Sequence, residues 1–402
     1  MDDPEYTESV IQSIRRLSEF AKNIAADRET IRAVRSLLDK HDLIRRFDTS
    51  AQANLTVEGV DSSFTVYRTL SVQAIIIAAA AYRGGTGNEK IRRVINAVPS
   101  LLSDYSDDLA RGLASMYELA LARSADADLV LLDGSFNSFA VSLGTFYYSL
   151  SNRRDPAVAA VEEYVDQNSD NPLNVFSIAG SKTFVTDVIL QKAGPRAVAL
   201  PKASGAQGAI QYLSDFLGMD RGLSETLFRR YTDRSLFTLV LEPGEYFTFH
   251  SARIQERQEL RVEGGPNWPW LEEVYNFLGD RDRFGGSGGL TVVLYRPYPW
   301  APAYKVEIPG RASKDYIETV LARLSASIVD PGIKEHEEQF MADMIAKEML
   351  EAVADAGAAV LLNADRVDDV DASVLLMSYY RTRNPEGYGG RSFRSYDRRR
   401  IS

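Results

Sequence analysis

The chain's 402 residues leave room for two or three domains at roughly 100–200 residues each, and a composition 45% apolar and 25% charged suits a polypeptide that buries a sizeable core. Cysteine is absent and histidine occurs three times, at His41, His250 and His336; this excludes disulfide scaffolds, thiol nucleophiles, iron–sulfur clusters and thiolate zinc, and leaves carboxylate oxygen to hold any metal. With 46 basic and 56 acidic side chains the formal charge is −10, which excludes coating of nucleic acid by bulk positive charge but not an enzyme whose acids hold cations against a phosphodiester backbone.

The acidic start, Met1-Asp2-Asp3-Pro4-Glu5, lacks the basic-then-apolar order of a secretory signal. The longest apolar run, Ala74 to Tyr82, falls far short of the ~20 residues of a membrane span. A soluble, cytoplasmic protein without membrane contact is expected. Residues 6–46 read as helix, with Val10, Ile14, Leu17, Ala21, Ile24, Ile31 and Leu38 on heptad spacing. Residues 1–50 are thus a helical arm, either packed on its own domain or serving self-association, and Asp48 to Ala53 is a polar linker.

From Leu55 the period becomes that of strands. Leu55–Val60, Phe64–Leu70 and Val72–Tyr82 read as three adjacent strands, closed by Arg83-Gly84-Gly85-Thr86-Gly87. A long helix is expected from about Lys90 to Arg123, broken near Pro99. Leu129–Leu132 is a short, fully apolar strand, and Phe136–Leu150 a helix. Further strands are expected around Val175–Ile178, Leu236–Leu241, Leu290–Tyr295 and Tyr304–Ile308. Helices are expected at Ile210–Leu217, Leu223–Tyr231, Ser313–Ser325 and Glu335–Ala354, with a loop or insertion at Arg257–Gly289. The main domain covers 51–355, with an inserted β-rich region at about 206–290. Residues 356–402 form a C-terminal segment whose arginines and aromatics, from about Thr382, either dock a partner or stack on bases.

Three carboxylates fall at informative places. Asp61 ends the first strand, Glu118 sits late in the following helix, and Asp133 ends the apolar strand Leu-Val-Leu-Leu-Asp. Three strands, a helix and a fourth strand, with acids in those positions, is the order of a ribonuclease H-like mixed α/β core. There the first and fourth strands are neighbours, so Asp61 and Asp133 would adjoin, with Glu118 facing them from the helix. Like charges that close raise one another's pKa, and a hard divalent cation with oxygen ligands relieves the repulsion. Two such ions about 4 Å apart serve phosphodiester hydrolysis.

Val60-Asp61-Ser62-Ser63, Tyr117-Glu118-Leu119-Ala120 and Leu131-Leu132-Asp133-Gly134-Ser135 resemble three motifs of the NurA nucleases. Ser181-Lys182, Thr232-Asp233-Arg234, Leu241-Glu242-Pro243-Gly244-Glu245-Tyr246, Tyr295-Arg296 and Tyr304-Lys305-Val306-Glu307 continue the likeness, which spans roughly residues 55–350. The resemblance implies a ribonuclease H-like, Mn²⁺-dependent DNA nuclease (Mg²⁺ being the alternative ion) that works as a homodimer. It also implies a hexameric HerA-type ATPase as partner, in DNA end processing or phage defence. It makes Asp61, Glu118 and Asp133 metal ligands and places Lys182, Arg296 and Lys305 at DNA, although Lys182 also reads as a solvated strand-end residue.

The family's C-terminal motif is a Gly-Tyr-Pro-type turn before a helix that bears a His or Asp ligand. Here the turn reads Val329-Asp330-Pro331-Gly332, without the tyrosine, and the helix offers His336 or Asp343, seven residues apart and so on one face. Asp343 keeps the family's Ala-Asp context and is the favoured choice. A phosphate-binding loop is excluded, because Gly84-Gly85-Thr86-Gly87 lacks Gly-Lys-Ser/Thr and Gly180-Ser181-Lys182-Thr183 has Val175 where the first glycine belongs. No Gly-x-Ser-x-Gly elbow is present either. The expected function is a metal-dependent DNA nuclease; the alternative is a non-catalytic NurA-like adaptor that docks on a translocase ring.

Overall fold

The computed structural model describes residues 4–25, 27–51, 54–68, 72–84, 89–151, 154–167, 185–194, 196–202, 207–251, 269–279, 288–328 and 330–362. In chain order the elements are α1 (Pro4–Ala25), α2 (Arg28–Lys40), β1 (Ile44–Arg46), β2 (Val57–Arg68), β3 (Val72–Arg83), β4 (Lys90–Leu101), α3 (Ser106–Arg123), β5 (Leu129–Asp133), α4 (Phe136–Leu150), α5 (Pro156–Gln167) and β6 (Arg196–Leu200). There follow α6 (Gly208–Phe216), α7 (Arg221–Arg230), α8 (Asp233–Val240), β7 (Glu245–Ser251), α9 (Pro269–Leu278), β8 (Leu290–Arg296), β9 (Tyr304–Pro309), α10 (Lys314–Ala326) and α11 (Glu337–Leu362). The fold is mixed α/β and divides into two units. One comprises residues 1–54, 200–251 and 289–336; the other comprises 55–199, 252–288 and 337–402.

The second unit carries the three acids. Its strands lie in the order β6-β5-β2-β3-β4. β2 and β5 are parallel, with Val57 opposite Leu129 and Val60 opposite Leu132, while β2–β3 and β3–β4 are antiparallel. β3 reads Val-Gln-Ala-Ile-Ile-Ile-Ala-Ala-Ala-Ala-Tyr-Arg and is buried along most of its length, as a strand covered on both faces must be. Helix α3 lines one side with a nearly continuous buried face. α11 covers Ala80 and Tyr82 with Ala342, Ile345 and Ala346, and the alanines on both sides let helix and strand approach closely.

At Gly59 that approach becomes backbone to backbone. A Cβ added there would overlap the Glu338 carbonyl and lie 2.7 Å from the Gln339 nitrogen, so glycine is required by space rather than by dihedral. One residue on, Gln339 Nε2 donates to the Val60 carbonyl at 3.2 Å. The first turns of α11 are thereby tied to the strand segment that ends in Asp61.

The other unit holds the strand order β1-β7-β8-β9, antiparallel throughout. The expected helix over 6–46 is divided: α1 stops at Ala25, and α2 starts after Asp27, whose side chain accepts from the Thr30 N–H at 3.3 Å. The described side chains of α1 are exposed, whereas α2 buries Val34 and Leu38. α2 is also pinned to the buried Glu245 by Arg35, whose Nη1 and Nη2 donate to the two carboxylate oxygens at 2.5 and 3.0 Å.

Two expected elements have the opposite secondary structure. Residues 90–101 are a strand rather than the start of a long helix, paired with β3 from Val72–Leu101 to Arg83–Lys90. Ile91, Val94, Ile95 and Val98 are β-branched residues that fit that pairing, and Pro99 is tolerated because β4 is an edge strand. Residues 233–240 are a helix rather than a strand, because Thr232 and Ser235 form a reciprocal capping box that an apolar run alone does not reveal. The expected strands Leu55–Val60 and Phe64–Leu70 merge into the single strand β2. The region 206–290 contributes, among its described residues, helices α6 to α9 and the strand β7. The expected strand at 175–178 and the tail from 382 lie outside the described residues, and no described helix is long and apolar enough to cross a membrane.

Candidate metal centre

The parallel register sets the acids. Because Val60 pairs with Leu132, Asp61 and Asp133 stand one step further along neighbouring strands and project to the same side of the sheet. β5 ends at Asp133, where Gly134 takes φ +107° and turns the chain toward Ser135. The Ser135 side chain caps α4 by accepting from the Ser138 N–H at 3.0 Å. Asp61 is 4% exposed and Glu118, from α3, 5% exposed; Asp133 is half-buried.

Ser62 joins two of them. Its backbone N–H donates to Asp61 Oδ1 at 2.7 Å, and its hydroxyl donates to Glu118 Oε1 at 2.8 Å. Glu118 is pushed up to about 8, first by burial and further by the charge of Asp133, against the opposing pull of hydrogen bonds from Ser62 and Asp61. The cluster is an all-oxygen donor set, which suits a hard divalent ion. Among the described residues no three His, Asp or Glu side chains converge into a ready-made cage, so ligation here would recruit carboxylates now held by Ser62.

A NurA-domain family model matches residues 55–348. The chain belongs to the NurA family. Among solved structures, the NurA nuclease from Sulfolobus solfataricus is similar to it with a TM-score of 0.50 at 13% identity, over 89% of this chain and 97% of that one. A second NurA crystal structure matches at TM-score 0.47 and 13% identity, over 86% and 97% of the two chains. A third, of NurA with manganese, matches at TM-score 0.40 and 12% identity, over 87% and 98%. The first of these speaks for a shared fold. No curated protein is significantly similar to the chain.

The remaining candidates of this NurA chain have diverse surroundings. Asp343 lies on α11 one turn beyond Gln339, on the same helix face, and accepts from Lys347 Nζ at 2.7 Å. His336 belongs to the other unit, where Tyr295 is hydrogen-bonded to its Nε2 at 2.9 Å and the Tyr304 ring meets it edge-on. Neither unit by itself brings His336 together with the three acids. Arg296 donates to four backbone carbonyls, those of Thr238, Leu241, Pro299 and Ala301, so its guanidinium ties the end of α8 to the segment after β8. Lys305 is 9% exposed and paired with Glu307 at 2.9 Å, within the core rather than presented to a phosphate. Lys182 lies outside the described residues.

The sequence reading missed Ser62, Gln339 and the close approach at Gly59. Ser62 does adjoin Asp61 in the chain, but its partner Glu118 is 56 positions away, and no local pattern signals that pairing.

His336 supplies a pH prediction. Burial, reinforced by the positive charges of Lys202, Arg323 and Arg234, pushes its pKa down from 6.5 to about 3. The folded state therefore holds neutral imidazole, while the unfolded chain takes up a proton below pH 6.5. Stability is complete above that pH and falls as the pH drops toward about 3, by about 1.4 kcal/mol per unit. Comparing urea unfolding at pH 6.5 and 4.5 should show wild type losing about 2–3 kcal/mol more than His336→Gln, which cannot titrate. Equal losses would place the imidazole in water.

Proposed function

We propose that this NurA-family chain is a divalent-metal-dependent DNA nuclease that hydrolyses phosphodiester bonds at Asp61, Glu118 and Asp133, with Asp343 as the C-terminal acid. The observation that carries the reading is the juxtaposition of the buried Asp61 and Glu118 with Asp133 at the end of the neighbouring strand, where the charge of Asp133 helps to push Glu118 up. Family membership, with a NurA crystal structure that contains manganese, makes Mn²⁺ the ion to test first and Mg²⁺ the alternative. When bound, such ions activate the attacking water and offset charge on the leaving oxygen. The chain's own part is orientation. The Ser62 N–H fixes Asp61, the Ser62 hydroxyl fixes Glu118, and the Gly134 turn sets Asp133 at its strand end.

A net charge of −10 gives weak and salt-sensitive unaided affinity for DNA, since only local basic groups displace counterions. Such weak affinity would be offset by a motor, and what the NurA resemblance implies is a homodimer fed by a hexameric HerA-type ATPase in end processing or phage defence. A second reading, a NurA-like adaptor that docks on such a ring, is favoured by the lack of a ready-made three-ligand cage among the described residues. A cleavage assay on linear duplex and short single strands with Mn²⁺, with and without a cognate ring ATPase, separates the two. The nuclease reading expects basal cutting, with the motor raising activity on long duplex far more than on short single strands. An inert protein that still binds the ring would establish the adaptor instead, and equal digestion of long duplex alone and with the motor would remove the proposed dependence.

A further inference from the structure

We infer that Ser62 is a positioning residue of the carboxylate cluster, holding an acid of the strand and an acid of the helix through one residue; this rests on the nuclease reading above. Ser62 follows Asp61 on β2 and uses its two donors differently. The backbone N–H goes to Asp61 Oδ1 at 2.7 Å and the hydroxyl to Glu118 Oε1 at 2.8 Å. The first bond would be made by any residue except proline, since it is a main-chain donor. The second needs a hydroxyl at that point of the strand.

Glu118 has most need of such a bond. Its carboxylate sits at the end of a side chain with three rotatable torsions, within a buried part of α3, where an unsatisfied oxygen is costly. The Ser62 hydroxyl selects one orientation of the carboxylate and, through the neighbouring Ser62 N–H, keeps it linked to Asp61. Outer groups that orient ligands in this way are typically worth 10–100-fold in metal affinity or activity.

The test uses full-length Ser62→Ala and Ser62→Thr beside wild type. Calorimetric titration with Mn²⁺ should show affinity falling by roughly 10–100-fold in Ser62→Ala. Cleavage of linear DNA should show kcat falling with KM for DNA unchanged, and Ser62→Thr should largely restore both. Wild-type values in Ser62→Ala, or a threonine variant as defective as alanine, would overturn the proposal in favour of simple packing. A third readout separates this proposal from the metal reading: the carboxyl ¹³C resonance of Glu118 in metal-free protein, assigned by its loss in Glu118→Gln. If wild type takes up no Mn²⁺, the metal reading fails. Positioning by Ser62 then stands only if that resonance moves in Ser62→Ala and returns in Ser62→Thr.

Discussion

Asp61→Asn and Asp133→Asn should each lower Mn²⁺-dependent cleavage on the order of a thousandfold while leaving the fold intact. Both replacements keep the shape of the side chain and remove one negative charge from the carboxylate cluster. A bound cation contributes several kcal/mol of transition-state charge stabilisation, and each 1.36 kcal/mol is a decade in rate; hence the expected size. Stability should move the other way. In metal-free protein the charge of Asp133 helps to push Glu118 up, so removing it relieves repulsion. Thermal unfolding in EDTA should be unchanged or shifted upward for Asp133→Asn, with circular dichroism as in wild type. Unfolded variants would mean that the acids serve the fold. Folded variants with near-wild-type cutting would place the chemistry elsewhere.

Gly59→Ala should be the most damaging of the small substitutions in β2. The new methyl has nowhere to go, because the atoms it meets are the Glu338 carbonyl and the Gln339 nitrogen, main-chain atoms that cannot swing aside like a side-chain tip. Accommodation requires α11 to lift from β2, which strains the Gln339–Val60 hydrogen bond and the packing of Ala342, Ile345 and Ala346 on Ala80 and Tyr82. Overpacking of this kind costs about 3 kcal/mol. For a unit of this size that is roughly 6–12 °C in melting temperature. Cutting should fall as well, since the displaced strand segment runs straight into Asp61. A loss below about 1 kcal/mol in urea titration would mean that helix and strand are not in backbone contact.

What the sequence disclosed follows the range of the interactions involved. The apolar run of β3, the short strand β5 and the Asp-Gly-Ser turn after it are local signals, and the order of Asp61, Glu118 and Asp133 along strand, helix and strand was legible because each acid is tied to a recognisable element. The register that sets β2 beside β5 was accessible through that order. Residues 90–101 misled because Ile91, Val94, Ile95 and Val98 fall at the i, i+3, i+4, i+7 spacing of a helix face, and pairing with β3 overrides that spacing. Residues 233–240 misled because the capping box outweighs an apolar run. Arg296 and Lys305 were expected at DNA on the family motif. Their carbonyl and carboxylate partners come from α8, from loops and from another position on β9, and a motif does not record whether a cation is already spent. β1, β6 and β7 were not expected as strands at all, the first being three residues long.

The central claim is that Asp61, Glu118 and Asp133 together hold a divalent cation for phosphodiester hydrolysis. Calorimetric titration of Mn²⁺ into full-length wild type and into the Asp61→Asn/Asp133→Asn double variant, with cleavage of end-labelled linear duplex followed in the same samples, tests it most directly. The account predicts saturable Mn²⁺ uptake and Mn²⁺-dependent cutting in wild type, with both lost in a double variant that melts no lower than wild type in EDTA. Mn²⁺ uptake and cutting that survive in the folded double variant, or a wild type that neither binds Mn²⁺ nor cuts, would contradict it.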